Sequence, residues 1–311
     1  MKRGLPWLAL LLCAALPVRV PAQAPPTVRI AAPAVESWMQ AYYARETGRF
    51  EKAGLRADLN IPLSAANILT STATGDSDIG IAATTAIAQA VANGLPLVVI
   101  APAAISTPRS QTDNLCVAKS SPIQSAKDFD GKTVGVIGLR QFGDLALRAW
   151  LTKNGGDVSK VRVVQAPFAE MGPALERGTY DAAVMTEPTL ANALKINGVR
   201  CIASPDLAIA PQFMIGAWVT NKTYLAKNPD VVKRVVAVLA DTARWANTHP
   251  DETALLVNKL TKIDLDLIHA EKMRPVYGDR LIRADIQAPL DAAFAFGFLP
   301  RKVTVDEMLG Q

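Results

Sequence analysis

Short β-rich runs alternate with helical runs over the first two thirds of the chain. Thr27–Ala31 and Arg56–Ile61 have the composition of strands, and Ala65–Thr74 is a run of small residues that Gly75 ends. The same alternation predicts further strands at 78–82, 95–101, 114–118, 133–137, 161–165, 181–185 and 199–203 and further helices at 85–92, 143–153, 168–177 and 187–196. Strands that alternate with helices are typical of a parallel sheet with helices on both faces. The pattern therefore predicts an α/β protein.

The first helix has a start signal in its sequence. Ser37 is predicted to cap it, and Gln40, three residues on, completes a capping box. The helix is expected to run to Thr47, where Gly48 ends it.

Two segments interrupt the alternation. Ala104–Asp113 and Ser204–Gln212 are rich in small residues and proline, and each is read as a crossing between two lobes. Met214–Asn221 is predicted to be a strand that runs back into the first lobe, and the chain after it is nearly all helical, with helices at 230–247, 250–260 and 265–273. Lobe 1 is therefore predicted to comprise residues 23–107 and 214–311, and lobe 2 residues 108–213.

One short motif occurs in both predicted lobes. Gly75 and Asp78 stand in a Gly-x-x-Asp run before one strand, and Gly178 and Asp181 stand in the same run before another. The repeat indicates two similar lobes, and two crossings between them predict a hinge and a cleft. In open α/β sheets, ligands bind beyond the carboxyl ends of the strands, where helix N-termini point.

The first 24 residues have the layout of a secretory signal. Lys2 and Arg3 precede the apolar run Leu5–Leu16, which is too short to span a bilayer. Cleavage is predicted after Ala22, with Ala24 as the alternative, so the signal peptide comprises residues 1–22. Cys13 follows a bulky leucine, which disfavours a lipoprotein. Export to the periplasm is expected, and the mature protein should be soluble and monomeric.

Charge argues against one class of partner, and the cysteines raise the question of a disulfide. The signal carries three basic residues and no acid, so the formal charge of +5 falls to +2 on its removal. No basic tract remains that favours nucleic acid. Cys116 and Cys201 are left in strand-like runs, and the sequence leaves open whether they are buried apolar residues or form a disulfide.

Sequence motifs of catalysis and metal binding are missing. The two histidines, His249 and His269, have no partner at metal-ligand spacing, and no Cys-x-x-Cys, His-Glu-x-x-His or Gly-x-Ser-x-Gly motif occurs. We therefore expect no catalytic residues, no metal and no cofactor, and predict that the protein is not an enzyme.

Several runs together resemble a known family. They are YYARETGRFEKAGLRADL (42–59), TGDSDIGIAATTAIAQAVANGLPLVVIAP (74–102), DFDGKTVGV (128–136), ALERGTYDAAVMTEP (174–188) and the helical stretch at 225–257. In order and spacing they resemble the periplasmic binding proteins of ABC importers, in the branch that handles sulfonates, taurine, nitrate and thiamine-pyrimidine precursors. The resemblance implies a type II periplasmic binding protein fold, a small-molecule ligand in the interlobe cleft, and an ABC permease with its ATPase as partners. Membrane contact would be through the permease alone.

Two rival functions stay open beside transport. One is a pyrimidine-precursor protein, or an enzyme of pyrimidine synthesis on the same fold, although the Cys- and His-rich segment of the eukaryotic relatives is missing here. The other is a periplasmic co-receptor for a sensor. The sequence does not name the ligand, for which a sulfonate, nitrate or organic carboxylate is expected.

In lobe 1, candidate ligand residues follow three predicted strands. After the first strand these residues are Glu36, Ser37 and Trp38. Ser64 follows the second strand, and Thr84 and Thr85 follow the third. Ser37 and Ser64 could serve as helix caps or lie beside a bound anion, and Trp38 could belong either to the core or to the pocket.

In lobe 2 the candidates are Arg140, Gln141 and Phe142, which join a strand to a helix. Arg140 is the only arginine at a predicted strand-to-helix junction of this kind. Its guanidinium is predicted to grip an anionic ligand. Glu187 precedes a proline at a position where relatives often place an acid facing the cleft. It is expected either to bind a donor group of the ligand or to cap its own helix.

Overall fold

A computed structural model describes residues 24–61, 64–110, 112–187, 189–270 and 274–311. The predicted signal peptide (1–22), Pro188 and the last three residues of the helix expected at 265–273 lie outside this range. Among the described residues, no helix has both the length and the apolar character that crossing a membrane requires.

The described residues form strands and helices that follow the predicted alternation closely. The strands are β1 (Thr27–Ala31), β2 (Arg56–Asn60), β3 (Ile79–Ala83), β4 (Leu97–Pro102), β5 (Ala104–Ser106), β6 (Asn114–Ala118), β7 (Thr133–Val136), β8 (Arg162–Gln165), β9 (Ala182–Met185), β10 (Val199–Ala203), β11 (Phe213–Met214), β12 (Gly216–Asn221) and β13 (Val276–Tyr277). The α-helices are α1 (Gln40–Glu46), α2 (Arg49–Lys52), α3 (Ala65–Thr74), α4 (Thr84–Ala92), α5 (Phe142–Lys153), α6 (Phe168–Glu176), α7 (Thr189–Ile196), α8 (Lys222–Lys227), α9 (Pro229–Thr248), α10 (Pro250–Thr261), α11 (Leu265–Ala270), α12 (Arg283–Ala295) and α13 (Val305–Leu309). Short 3-10 helices occur at Glu36–Trp38, Ala126–Phe129, Val158–Lys160 and Pro205–Ala208.

Two five-stranded sheets of the same topology form the two lobes. The lobe 1 sheet has the order β2-β1-β3-β12-β4, in which only β12 is antiparallel to its neighbours. The lobe 2 sheet has the order β8-β7-β9-β6-β10, in which β6 is the antiparallel strand. The α/β fold with two lobes is therefore the one predicted, and each antiparallel strand arrives from the other lobe.

A third, small sheet joins the lobes. Its order is β11-β5-β13, and Ile105 of β5 lies between Met214 of β11 and Val276 of β13. The sequence had been read as a break here, so β5 and β13 were not predicted; each is only two or three residues long and is formed by pairing with distant segments. Both connections between the lobes thus pass through hydrogen-bonded strands.

The two crossings fix which edges of the sheets face each other. The chain leaves lobe 1 from the end of β4, which runs parallel to β1, β2 and β3. It leaves lobe 2 from the end of β10, which runs parallel to β7, β8 and β9. The carboxyl ends of the parallel strands in both lobes are therefore directed toward the other lobe.

The repeated Gly-x-x-Asp motif has the same structural role in both lobes. Asp78 Oδ2 accepts the backbone N–H of Arg29 on β1, and Asp181 Oδ2 accepts the backbone N–H of Thr133 on β7. Gly75 has a φ of 88° where it ends α3, which is a backbone conformation that glycine adopts without steric cost. The motif therefore places β3 beside β1 in lobe 1 and β9 beside β7 in lobe 2.

The first helix differs from its prediction. Residues Glu36–Trp38 form a 3-10 turn, and α1 begins at Gln40 after Met39, which offers no side-chain cap. Ser37 is thus inside the turn and does not cap the helix. Gln40 is instead fully buried, where its amide oxygen accepts the indole N–H of Trp218 at 2.7 Å. The Ser-x-x-Gln spacing was misleading because the Gln40 side chain is bonded to Trp218 in the core and is not available to complete a capping box.

A disulfide settles the question that the sequence left open for the cysteines. Cys116 on β6 and Cys201 on β10 are directly opposite each other in the antiparallel pair, and their sulfur atoms are bonded. The bond ties the edge strand of the lobe 2 sheet to its neighbour.

The last helix of the chain was not predicted. The stretch after Phe296 had been read as a short tail, yet α13 begins there with a capping box between Thr304 and Glu307. Helix α12 packs against α4 and β11, and it contains Pro289 in its interior.

Candidate ligand-binding cleft

The candidate cleft lies between the facing strand ends of the two lobes. From lobe 1 it is approached by the turn after β1, the start of α3 and the start of α4. From lobe 2 it is approached by the β7–α5 loop and by the segments before α6 and α7. The predicted ligand residues are distributed over these segments, and the structure gives several of them other partners.

Glu36 belongs to a buried polar cluster beside the hinge sheet. Its carboxylate forms an ion pair with Arg274, and its backbone oxygen accepts the hydroxyl of Tyr277. Burial, together with the nearby Tyr43 and Glu36, raises the pKa of Tyr277 well above its ordinary value. A cavity of about 110 Å³ lies among these residues and the adjoining ends of α9 and α10. The negative charge of Glu36 is therefore balanced by Arg274, which belongs to the same lobe.

Trp38 lies against the strand that returns from lobe 2. A Cβ placed on Gly216, at the start of β12, would lie 3.1 Å from the indole nitrogen of Trp38 and 3.1 Å from the carbonyl oxygen of Ala82. Glycine at 216 therefore lets the indole approach the backbone closely. Trp38 is half-buried and packs partly on the lobe 1 core, which is one of the two roles that the sequence left open, and its pocket role stays a prediction.

Ser64 serves as the cap of α3. Its hydroxyl oxygen accepts the backbone N–H of Asn67 at 3.2 Å and donates to the Asn67 side chain at 2.6 Å. This is the helix-cap role that had been considered beside anion binding.

Thr84 and Thr85 open α4 and are both buried. The Thr84 hydroxyl donates to the carbonyl oxygen of Met214 at 2.7 Å, and its backbone N–H donates to Ile215. These bonds hold the start of α4 against the returning crossover. The residue before α4 is Ala83, which supplies no side-chain cap.

Arg140 lies on lobe 2 but contacts lobe 1. Its guanidinium donates to the carbonyl oxygen of Gly297 at 2.5 Å and lies 5.5 Å from the ring centre of Phe298. Its carbonyl oxygen accepts from the side chain of Gln89 on α4 at 3.2 Å. With a φ of 59°, Arg140 is in the left-handed region, and its own N–H is held by buried Asp144 at 2.8 Å. In this structure the predicted anion grip is therefore an interlobe contact.

The two residues after Arg140 have different surroundings. Gln141 precedes α5 without capping it, and its side chain folds over Gly138, where a Cβ would lie only 2.4 Å from the Gln141 amide. Phe142 packs on Phe213 of the returning crossover, with ring centres 5.6 Å apart. The β7–α5 loop thus touches the hinge.

Glu187 turns toward its own helix. Its Oε2 accepts the backbone N–H of Ala191 at 2.9 Å, which corresponds to the helix-capping role that had been considered for it. A carboxylate near a helix N-terminus is stabilised by the helix dipole.

A larger cavity between the lobes was not predicted from the sequence. It has a volume of about 380 Å³ and lies between α6 and α7 of lobe 2 and the α10–α11 turn of lobe 1. Its lining residues are Ala169, Gly172, Pro173, Thr189, Asn192, Ala193, Asn197, Ile263, Asp264 and Leu267. These residues come from helix faces and from a turn about 70 residues further along the chain, whereas the predicted ligand residues follow the ends of strands.

The side chains of His249 and of the two cysteines have partners within the protein. No group of three or more His, Cys, Asp or Glu side chains with metal-binding geometry occurs among them. His249 stacks on Trp245, with ring centres 5.3 Å apart, and is hydrogen-bonded to the Trp245 carbonyl oxygen. The two cysteines are joined to each other.

Comparisons with known proteins agree with this architecture. The model of the NMT1/THI5-like protein family matches residues 36–253, which is more than two thirds of the chain. The taurine-binding periplasmic protein of Escherichia coli (strain K12) is 27% identical over 191 residues, which cover 60% of this chain and 57% of that protein. A Brucella abortus (strain 2308) protein, whose name assigns it a binding role, is 23% identical over 71% of this chain and 67% of its own length.

Solved structures support the fold. The periplasmic aliphatic sulphonate binding protein SsuA of Escherichia coli superposes with a TM-score of 0.78 at 18% identity, over 92% of each chain. The alkanesulfonate-binding protein SsuA of Xanthomonas axonopodis pv. citri, bound to MOPS, gives a TM-score of 0.74 at 17% identity, over 92% of this chain and 99% of that one. The two-lobed fold of periplasmic binding proteins is therefore the fold of this chain.

Proposed function

The chain belongs to the NMT1/THI5-like family and is a solute-binding protein, and from that premise we propose that it captures a small organic anion for an ABC importer. The observation that carries the proposal is the way the two sheets face each other. Their parallel strands direct their carboxyl ends toward one cleft, and two chain crossings allow that cleft to open and close.

The start of one helix in each lobe supports an anionic ligand. Helices α4 and α5 begin at the cleft, and neither has a side-chain cap, since Ala83 precedes the first and Gln141 does not cap the second. Backbone N–H groups in the first turn of a helix favour negative charge. We place the charged group of the ligand near these two helix starts, with Thr84, Thr85 and Phe142 beside it.

The names of the relatives point to the same ligand class. The taurine-binding protein and the Bacillus subtilis relative named for aliphatic sulfonates are named for ligands that carry a sulfonate group. A sulfonate, a nitrate or an organic carboxylate fits the proposed helix-start site. The capping contact of Glu187 with Ala191 supports this class, because a carboxylate held by its own helix repels an anion less than one aimed at it.

We propose binding without catalysis. The disulfide between the cysteines and the packing of His249 on Trp245 leave these groups engaged in the structure of the protein. The proposed partners are a membrane permease and its ATPase, and the proposed location is the periplasm, as for the relatives named periplasmic. We propose that the protein acts as a monomer.

A thermal-shift screen tests the function. The panel pairs each anion with an uncharged analogue, for example ethanesulfonate with ethanol and hexanesulfonate with hexanol. A ligand at about 100 times its Kd adds about 2.7 kcal/mol to the free energy of unfolding, which is readily measured. We expect one class of anion to raise the melting temperature and its uncharged analogue to leave it unchanged. Equal shifts for both members of a pair would contradict an anion site.

A further inference from the structure

Two buried carboxyl groups join the crossing segments at the hinge. Asp113 lies just before β6, where the chain enters lobe 2, and Asp206 lies in the 3-10 helix Pro205–Ala208, where the chain leaves it. Their exposed fractions are 5% and 0%. Ionisable side chains are seldom buried to this degree without a partner of opposite charge.

The Asp206 carboxylate ties the two segments together. Its Oδ2 accepts the backbone N–H of Thr112 at 3.1 Å, the Thr112 hydroxyl at 3.3 Å and the backbone N–H of Asp113 at 3.3 Å. The other oxygen of Asp206, Oδ1, and Asp113 Oδ2 have no hydrogen-bond partner among the described residues. The contact between the two crossing segments, called the joint below, therefore contains two buried carboxyl oxygens that accept no hydrogen bond from the described residues.

The charged groups on the neighbouring elements are engaged elsewhere. On α5, which packs over the 3-10 helix, Asp144 and Arg148 pair with each other at 2.6 Å, and the Lys153 ammonium binds the carbonyl oxygen of Leu207. On α12, Asp285 accepts the side chain of Gln212. Among the described residues, neither Asp113 nor Asp206 forms an ion pair with a cation.

Two uncompensated carboxylates so close together cannot both be ionised cheaply. Burial raises the pKa of Asp206 to about 6, although its hydrogen bonds oppose the rise. Burial and the charge of Asp206 raise the pKa of Asp113 well above its ordinary value. The pair therefore holds a proton more tightly than ordinary aspartates do.

We propose that the Asp113–Asp206 pair is a proton-sensitive joint, which holds a proton while the crossing segments are packed together and releases it when the lobes swing apart. Lobe opening that lets water reach the joint removes the cause of the tight proton binding. By linkage, the state that binds protons more weakly gains population as the pH rises. Opening of the lobes is thus favoured at higher pH. This inference rests on the two-lobed fold and holds for any ligand class.

The size of the effect follows from the pKa of Asp206. One pKa unit corresponds to a tenfold change in an equilibrium constant. If opening returns Asp206 from about 6 to the ordinary value of an aspartate, the opening equilibrium changes by roughly 50-fold between pH 4 and pH 7.

Pulsed electron paramagnetic resonance tests the joint in the protein without ligand. Spin labels are attached through Lys52→Cys on lobe 1 and Lys127→Cys on lobe 2, both exposed positions, while Cys116 and Cys201 remain bonded to each other. Interlobe distances are measured from pH 4.5 to pH 8.5. We expect the fraction of long distances to rise with pH in the parent, and to be independent of pH in the Asp113→Asn/Asp206→Asn double variant.

Asp285→Asn is the matched control, because it removes a buried carboxylate near the hinge that already has a partner in Gln212. It should retain the pH dependence of the parent. The proposal is overturned if the parent distances do not change with pH, or if the double variant titrates as the parent does. Should the double variant fail to fold, Asp113→Asn alone must reduce the pH dependence; an unchanged response there overturns the proposal equally.

Discussion

Asp181 accepts the backbone N–H of Thr133 at 2.8 Å, which joins β9, the strand after a Gly-x-x-Asp motif, to β7 in the lobe 2 sheet. Asp78 makes the same bond to Arg29 in lobe 1, also at 2.8 Å. In both places the bond is returned, since the aspartate N–H donates to the carbonyl oxygen of the partner residue at 2.9 Å. The same pair of hydrogen bonds therefore joins two neighbouring parallel strands in each lobe.

We predict that Asp78→Ala lowers the free energy of unfolding by about 1–3 kcal/mol, because a buried carboxylate with charge-assisted bonds to Arg29 is lost. Asp76→Ala is the control, since the Asp76 carboxylate bonds only locally to Thr74 on the surface. Urea unfolding measures both variants. If the two variants are equally stable, the motif does not stabilise the sheet.

The relation between sequence and structure differs from one region to another. The βα alternation and the Gly-x-x-Asp repeat are local patterns, and they predicted both sheets and their similarity. Strand β5 could not be predicted in this way, because three residues become a strand only when Met214 and Val276 pair with them from far along the chain. The Ser37 cap was wrong because Gln40 is used by Trp218, a contact that spans 178 residues.

The candidate site was predictable to a smaller extent. Its segments could be identified, because they follow the carboxyl ends of strands. The contacts of each side chain could not, since Arg140 meets Gly297 and Glu36 meets Arg274 only through the arrangement of the two lobes and the C-terminal helices. The ligand contacts of Arg140 and Glu187 therefore stay predictions.

The disulfide should matter for stability and not for binding. The Cys116→Ser/Cys201→Ser variant is expected to lose about 2–4 kcal/mol of the free energy of unfolding, because the bond closes a long loop within lobe 2. Ligand affinity should stay within a few-fold, since neither cysteine lies at the cleft-facing ends of the strands. Denaturant unfolding with and without a reductant provides the measurement, and the variant itself should not respond to the reductant. A large loss of affinity with the fold intact would show a functional role for the pair.

The stability of the protein should depend on pH through the hinge pair. A carboxyl group with a raised pKa in the folded state stabilises the fold most below its unfolded pKa, and this stabilisation is lost as the pH rises through the folded pKa. For Asp206, with a pKa of about 6, the loss between pH 4 and pH 8 is about 2 kcal/mol. We expect Asp206→Asn to become more stable relative to the parent as the pH rises over this range. Parallel stability curves in urea unfolding would contradict the assigned pKa shift.

Arg140→Ala is predicted to weaken binding of the anion by roughly 10- to 150-fold, because a hydrogen bond to a charged group is worth about 1.5–3 kcal/mol. This requires the guanidinium to leave Gly297 for the ligand. Calorimetry with the tightest-binding anion of the screen measures the loss. Arg148→Ala is the control, since Arg148 also lies beside Phe298 but pairs with Asp144. An equal affinity of Arg140→Ala and the parent would restrict Arg140 to the interlobe contact.

Glu187→Gln should change the affinity only a few-fold, because the carboxylate is bonded to its own helix at Ala191 and a glutamine oxygen can accept the same N–H. The same calorimetric titration checks this. A large gain in affinity for the anion would mean that Glu187 faces the ligand and repels it, and a large loss would mean that it binds a donor group.

Closure of the two lobes on a small anion is tested most directly by small-angle scattering during a ligand titration. The radius of gyration is recorded for the protein alone, with the tightest-binding anion of the screen at saturation, and with its uncharged analogue at the same concentration. We predict that the anion decreases the radius of gyration, because it contacts both lobes only when they are closed, and that the analogue leaves it unchanged. An unchanged radius of gyration at saturating anion would contradict the account.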